Sequence, residues 1–108
     1  MPALNRSGLP AVRTFMRDPA LAAFLESIAA NVRRLRLRRG YTQEALAERA
    51  AQDLSYLQRI ERGATNLSVA VLFALALALG VAPGLLVRKA RLPRARRGRP
   101  PKRTVQQR

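Results

Sequence analysis

Residues 42–63 read TQEALAERAAQDLSYLQRIERG, and this stretch decides the fold. Thr42 and Asp53 are both residue types that cap helix N-termini, and each precedes a short segment with helical spacing of apolar residues. The residues predicted to face inward are Leu46, Ala47, Ala50, Leu57 and Ile60. Gly63 can end the second segment. The stretch therefore predicts two short helices, 42–50 and 54–62, joined by a tight turn.

A further helix is predicted upstream of this pair. Asp18-Pro19 combines a capping acid with a proline at the first helical position, and Gly40 can end the helix. Its apolar face consists of Leu25, Ile28, Val32 and Leu35. The spacing leaves open whether this is one long helix or two helices with a break near Ser27.

Downstream, Ser68 predicts the start of a fourth helix that ends at Gly80, and Pro83 predicts a short fifth helix. The breaks between the predicted helices are short, and no segment has the alternation of a strand. The sequence therefore predicts an all-α fold, a compact domain of four or five helices.

The positive charge is concentrated behind this domain. The net charge is +15, and residues 88–108 hold ten basic and no acidic residues. We expect a disordered segment at 1–17, a folded domain at 18–90 and a disordered basic tail at 91–108. A domain of mild charge with such a tail points to a polyanionic partner.

The composition argues against an enzyme or a metal site. The chain has no cysteine and no histidine, which removes thiolate ligands and the commonest general base. Its six acidic residues form no tight pair suited to acid–base chemistry. We expect no catalytic residue, no metal and no cofactor.

Residues 67–87 contain no charge, so a single membrane span with the basic tail on the cytoplasmic side is an alternative. Gly80 interrupts this run about 12 residues after Ser68, and 12 helical residues rise only about 18 Å, against about 30 Å of hydrocarbon. We therefore expect no membrane insertion. The predicted inward face is Val69, Leu72, Leu75, Ala76 and Leu79.

The outer face of helix 68–79 is also apolar. It carries Ala70, Val71, Phe73, Ala74, Leu77 and Ala78. A contiguous exposed apolar patch tends to mark an interface, so Phe73 and Leu77 are predicted to contact a second copy or another protein partner.

The order of these pieces is specific. LR-x-x-RG-x-TQE-x-LAERA, SYL-x-RIERG and ALGV follow one another without gaps, and together they resemble the helix-turn-helix domain of the lambda-repressor/Cro type, or XRE family. The resemblance covers residues 26–87. It implies five short helices, of which the second and third form the helix-turn-helix, and binding to double-stranded DNA, commonly as a dimer.

The resemblance also implies roles for individual residues. Leu54, Ser55 and Arg59 should face base edges, whereas Gln43, Tyr56 and Arg62 should contact the DNA backbone. Arg36 and Glu61 should form a structural pair, and Asp53 caps the recognition helix.

Two positions depart from the family pattern, which has glycine and then an apolar residue in the turn. This chain has Ala51-Gln52 there. A Cβ where the backbone needs a positive φ costs about 1 kcal/mol, and Gln52 should not fill the apolar slot.

The tail contains a second resemblance. Arg97-Gly98-Arg99-Pro100 is similar to an AT-hook, in which glycine allows close approach and arginines follow a narrow A·T minor groove. The alternative is that the tail is a polycation that binds phosphates without sequence preference.

We therefore expect a sequence-specific transcriptional regulator that acts as a homodimer in the cytoplasm, associated with the nucleoid. A restriction–modification control regulator or an antitoxin, with a protein partner, is an alternative. Non-specific nucleoid or RNA binding through the tail is a weaker one.

Overall fold

The computed structural model describes residues 4, 6–8 and 18–93. Residues 18–93 form five helices and no strand, so the predicted all-α fold is confirmed. The helices are α1 (Pro19–Arg38), α2 (Gln43–Arg49), α3 (Leu54–Glu61), α4 (Val69–Leu79) and α5 (Pro83–Leu86). The segments predicted to be disordered, 1–17 and 91–108, lie outside the described residues except for residues 4, 6–8 and 91–93.

α1 is one continuous helix of 20 residues, which settles the alternative of a break near Ser27. Asp18 caps it, because its Oδ1 accepts a hydrogen bond from the Ala20 amide at 2.7 Å. Ser27 is buried, and its hydroxyl donates to the Ala23 carbonyl one turn earlier at 3.2 Å. The polar side chain thus has a partner within the helix and does not interrupt it.

The turn between α2 and α3 has the geometry that the sequence predicts. Thr42 caps α2 by accepting a bond from the Ala45 amide at 3.0 Å. Ala51 has a φ of +56°, the left-handed conformation that costs a residue with a Cβ about 1 kcal/mol. Gln52 is half-buried and donates from Nε2 to the Ala50 carbonyl at 3.1 Å, so its amide has a polar partner where the family has an apolar side chain. Asp53 holds the N-cap position of α3 without a side-chain capping bond.

The core lies between α1, the α2–α3 pair and the C-terminal half of α4. Its members are aliphatic, and Leu46, Leu57, Leu75 and Leu86 are fully buried, each from a different helix. Burying a leucine contributes about 1.5–3 kcal/mol, so these contacts hold the helix-turn-helix pair against the rest of the domain.

α4 packs through its second half. Leu75, Ala76 and Leu79 are buried as predicted, whereas Val69 is 81% exposed, so its placement on the inward face was wrong. Val69 is the first residue of α4, a turn and a half before the covered part of the helix. Val71 and Leu72 are partly buried against the core. Across the part of the chain that the structure describes, no helix has the length and apolarity needed to cross a bilayer.

The chain after α5 returns along α1. We call residues 88–93 the strap. Asn31, which is 2% exposed, donates from Nδ2 to the carbonyls of Leu86 and Arg88 at 3.0 and 2.8 Å. Ser27 bonds the amide of Ala90, and the Leu92 amide donates to a carboxylate oxygen of Glu26 at 3.0 Å. Side chains of α1 therefore hold the strap by its backbone.

Candidate nucleic-acid interface

α3 has one buried and one exposed face. Leu57 and Ile60 are buried, whereas Ser55, Arg59 and Arg62 are exposed. Residues 55, 59 and 62 are spaced by four and three positions, so they lie along one side of the helix. The exposed side of α3 is therefore polar and cationic, and it projects only hydroxyl and guanidinium groups at these positions.

The two flanks of this surface are partly buried. Leu54 packs against the core, and so only part of its side chain is accessible. Tyr56 is half-buried, and its hydroxyl donates to the Asn66 carbonyl at 3.3 Å. The Arg59 guanidinium lies 5.5 Å from the centre of the Tyr56 ring, within the range of a cation–π contact. Tyr56 thus ties α3 to the following loop and restricts Arg59.

A buried ion pair fixes α3 to α1. Arg36 Nε is 2.7 Å from Glu61 Oε2, and Arg36 Nη2 is 3.0 Å from Glu61 Oε1, a bidentate arrangement. Only 10% of the Arg36 side chain and 3% of the Glu61 side chain are exposed. Arg36 Nη1 also donates to the Tyr41 carbonyl at 2.9 Å. The pair that the family resemblance implies is therefore present, and it also holds the start of α2.

Gln43 is connected to this pair. Its Nε2 donates to Glu61 Oε1 at 3.1 Å, and its Oε1 accepts a bond from Gln58 Nε2 at 3.3 Å. Bonds on both ends of the amide hold the half-buried Gln43 side chain at the junction of α2 and α3. Because the Gln43 amide already bonds Glu61 and Gln58, a contact with a DNA phosphate would need the second Nε2 hydrogen or a rearrangement of the side chain.

Gln58 is a candidate that the sequence reasoning missed. It is half-buried and lies beside Gln43, at the edge of the exposed face of α3. The sequence contained a signal for it: Gln58 comes three residues after Ser55 and four after Leu54, and residues at these spacings share a helix face. The pairing with Gln43 itself has no local signature.

The remaining predicted residues divide into two groups. Phe73 and Leu77 lie exposed on α4, away from α3 in sequence, and none of the five helices covers them. Arg97, Gly98 and Arg99 lie outside the described residues. In the described ranges no group of three or more acidic or histidine side chains is placed to hold a metal ion.

Comparisons with known proteins agree with this geometry. The sequence profile of the helix-turn-helix family HTH_3 matches residues 32–86. A stretch of 54 residues, 50% of this chain and 70% of the relative, is 43% identical to an uncharacterised HTH-type transcriptional regulator, y4dJ, of Sinorhizobium fredii.

Solved structures are similar as well. The restriction–modification controller protein C.AhdI of Aeromonas hydrophila is 37% identical, with a TM-score of 0.56 over 57% of this chain and 94% of that one. The controller C.Esp1396I, solved as a tetramer with its natural 35-base-pair operator, is 30% identical, with a TM-score of 0.55 over 58% and 83% of the two chains. The profile match extends over half of the chain and contains α2, the turn and α3 complete, and the chain belongs to the helix-turn-helix family HTH_3.

Proposed function

We propose that this chain is a sequence-specific DNA-binding transcriptional regulator that places α3 in the major groove. The observation that carries the proposal is the division of α3 into a buried apolar face and an exposed face with Ser55, Arg59 and Arg62. A recognition helix needs this division, because its inner face must be held while its outer face contacts base edges. The similarity to operator-binding and HTH-type regulators supports the same function.

Each exposed group has a chemical role in this proposal. Arg59 forms two hydrogen bonds with guanine, Ser55 bonds a neighbouring base, and the accessible part of Leu54 contacts a thymine methyl group. A second set of side chains contacts the phosphates and positions the helix without reading sequence, namely Gln43, Tyr56 and Arg62. Gln58, whose amide is oriented by Gln43, lies where it can contact an adjacent base or phosphate.

Arg59→Ala tests base readout. A bidentate arginine–guanine contact discriminates by about 1–3 kcal/mol, so the preference for the selected site over the same site with that guanine replaced should fall by about 5- to 150-fold. The site is obtained by selecting bound duplexes from a random library with the full chain, and affinities are measured by fluorescence anisotropy.

Arg49→Ala is the matched control, since Arg49 is exposed on α2 and lies 4.5 Å from the Tyr41 ring centre. It removes the same charge and should keep the preference. If Arg59→Ala also keeps the preference for the selected site, or weakens binding to all duplexes equally, Arg59 does not read a base and this part of the proposal is wrong.

We further propose that the basic tail binds DNA beside the domain. Arg97-Gly98-Arg99-Pro100 has the composition that suits an A·T minor groove, and the remaining cations suit phosphates. Such a protein acts where DNA is, in the cytoplasm and in association with the nucleoid.

The chain is proposed to act as a homodimer through α4. Val69, Phe73 and Leu77 are 81%, 55% and 71% exposed, and their spacing of four residues makes one apolar stripe. Two DNA-binding domains in one assembly can bind two half-sites about one helical turn apart. The tetramer that C.Esp1396I forms on its operator agrees with assembly in this family.

Phe73→Glu with Leu77→Glu should produce monomers, because each copy would have to bury two carboxylates in an apolar contact. Sedimentation velocity or light scattering measures the mass. The control is Ala22→Glu with Ala64→Glu, which adds the same charge at exposed positions on other elements. An unchanged mass for the Phe73/Leu77 variant would exclude this interface.

The similarity to two restriction–modification controllers favours a control regulator as a more specific candidate. An antitoxin would instead require a toxin bound to the α4 stripe. Co-purification of a protein partner with the wild-type chain, but not with the Phe73/Leu77 variant, would support the antitoxin alternative.

A further inference from the structure

A groove of about 570 Å³ lies between the outer side of α1 and the strap. The helix contributes Ala30, Arg33, Arg34, Leu37 and Arg38, and the strap contributes Ala90, Arg91, Leu92 and Pro93. This groove is separate from the surface of α3. Arg34 and Arg38 are each two positions from Arg36, about 160° around the helix from the flank that pairs with Glu61, whereas Arg33 is three positions from Arg36 and lies nearer to that flank.

The groove has two fixed walls. One wall is a 20-residue helix, and the other is held to it by bonds between the side chains of Asn31, Ser27 and Glu26 and the strap backbone. Arg34 Nη2 also donates to Asn31 Oδ1 at 3.0 Å, so one lining guanidinium is oriented by the same cluster. A preformed groove reduces the ordering cost of binding.

Its charge is entirely positive. Four arginines line it, and no acidic side chain does. Among the described residues the one ion pair joins Arg36 to Glu61, so the lining arginines have no carboxylate partner in that part of the chain. The sequence segments beyond the described residues carry no acidic residue, and therefore they cannot neutralise the groove.

Its floor is apolar. Leu37 is 56% exposed between arginines on α1, and Leu92, Pro93, Ala30 and Ala90 complete the lining. DNA phosphates need cations but make no use of an apolar floor. A helix with leucine-like side chains on one face and carboxylates on its edges matches both parts, because arginine forms strong hydrogen bonds with carboxylates.

We propose that this groove binds an acidic amphipathic helix of a protein partner, with its apolar side chains on Leu37 and Leu92 and its carboxylates on the flanking arginines. Because no residue of α3 lines the groove, the partner binds while α3 is free to contact DNA. This inference does not depend on α3 being a reader of sequence.

The probe is a fluorescein-labelled synthetic peptide of about 18 residues, about five helical turns, made of leucine and glutamate in amphipathic order. Fluorescence anisotropy with the full chain gives the dissociation constant at physiological salt. Arg33→Gln with Arg38→Gln should raise it about tenfold or more, since two carboxylate contacts are lost. Leu37→Gln should raise it about fivefold without any change of charge.

The matched control is Arg6→Gln with Arg49→Gln, which removes two exposed charges elsewhere and should change the constant less than about twofold. Circular dichroism checks that each variant is folded. If the double arginine variant is unfolded, the peptide affinity of Leu37→Gln is the test of the proposal. A peptide of the same composition in scrambled order should bind at least about tenfold more weakly.

Three results would overturn the proposal. Equal binding of the ordered and scrambled peptides would mean that the acidic peptide binds the basic chain through charge alone, without recognition of an amphipathic helix. Displacement of the peptide by duplex DNA, with an equal loss of DNA affinity in the Arg33/Arg38 variant, would make the groove a DNA contact. If the Arg33/Arg38 variant lost more binding to phosphatidylserine vesicles than to the peptide, the groove would be a lipid site.

Discussion

Deletion of residues 94–108 should weaken binding to duplex DNA by on the order of 1,000-fold at 50 mM salt and about 20-fold at 200 mM salt. The deleted segment holds seven arginines and lysines. Each phosphate contact contributes about 0.9 to the slope of log affinity against log salt concentration, so three contacts should flatten that slope by about 3 units. The strap ends before the deletion, and the folded domain should keep its stability in urea.

Gly98→Val is the control that separates the two views of the tail, because it keeps all seven charges. If the tail follows an A·T minor groove, the bulkier residue should abolish the preference for A·T-rich flanks and leave the salt slope unchanged. If the tail is a polycation, neither quantity should change. An unchanged slope after deletion would mean that the tail does not contact DNA.

Glu61→Ala should lower the free energy of unfolding by about 3–5 kcal/mol, because it leaves the buried Arg36 guanidinium without its carboxylate. The variant also removes the acceptor of Gln43 Nε2. Urea unfolding followed by circular dichroism measures the change. A domain of this size has only about 5–15 kcal/mol in total, and so the variant should be partly unfolded at 37 °C.

Arg36→Met with Glu61→Leu is the informative companion, since it removes both charges and fills a similar volume. Replacing a buried pair by apolar residues is often neutral or stabilising, so this double variant should be much more stable than Glu61→Ala alone. It should still bind DNA less selectively, because Gln43 and through it Gln58 lose their anchor. A loss below about 1 kcal/mol in Glu61→Ala would show that the pair contributes little.

The helices were predictable because their signals are local. Thr42, Ser68 and Gly80 act within one turn of their own position, and the buried face of α1 follows from spacing alone. Val69 was misplaced for a related reason: periodicity assigns a residue to a face, but it does not say how far along the helix the covering elements extend.

The parts that escaped prediction depend on residues distant in sequence. Gln43 and Gln58 are 15 positions apart, and either amide alone reads as exposed helix surface. The strap is held through backbone amides and carbonyls, which every sequence offers, so Asn31 and Ser27 carried no sign of their partners. The Arg36–Glu61 pair could be predicted only from the family resemblance.

The bonds from α1 to the strap also bear on how the chain is made. They join residues 57 to 66 positions apart, so α1 emerges from the ribosome well before its last partner exists. At about 5–20 residues per second, synthesis from residue 31 to residue 90 takes about 3–12 s, whereas small helical domains fold in microseconds to milliseconds. Translation, and not folding, sets the time at which the nascent domain closes.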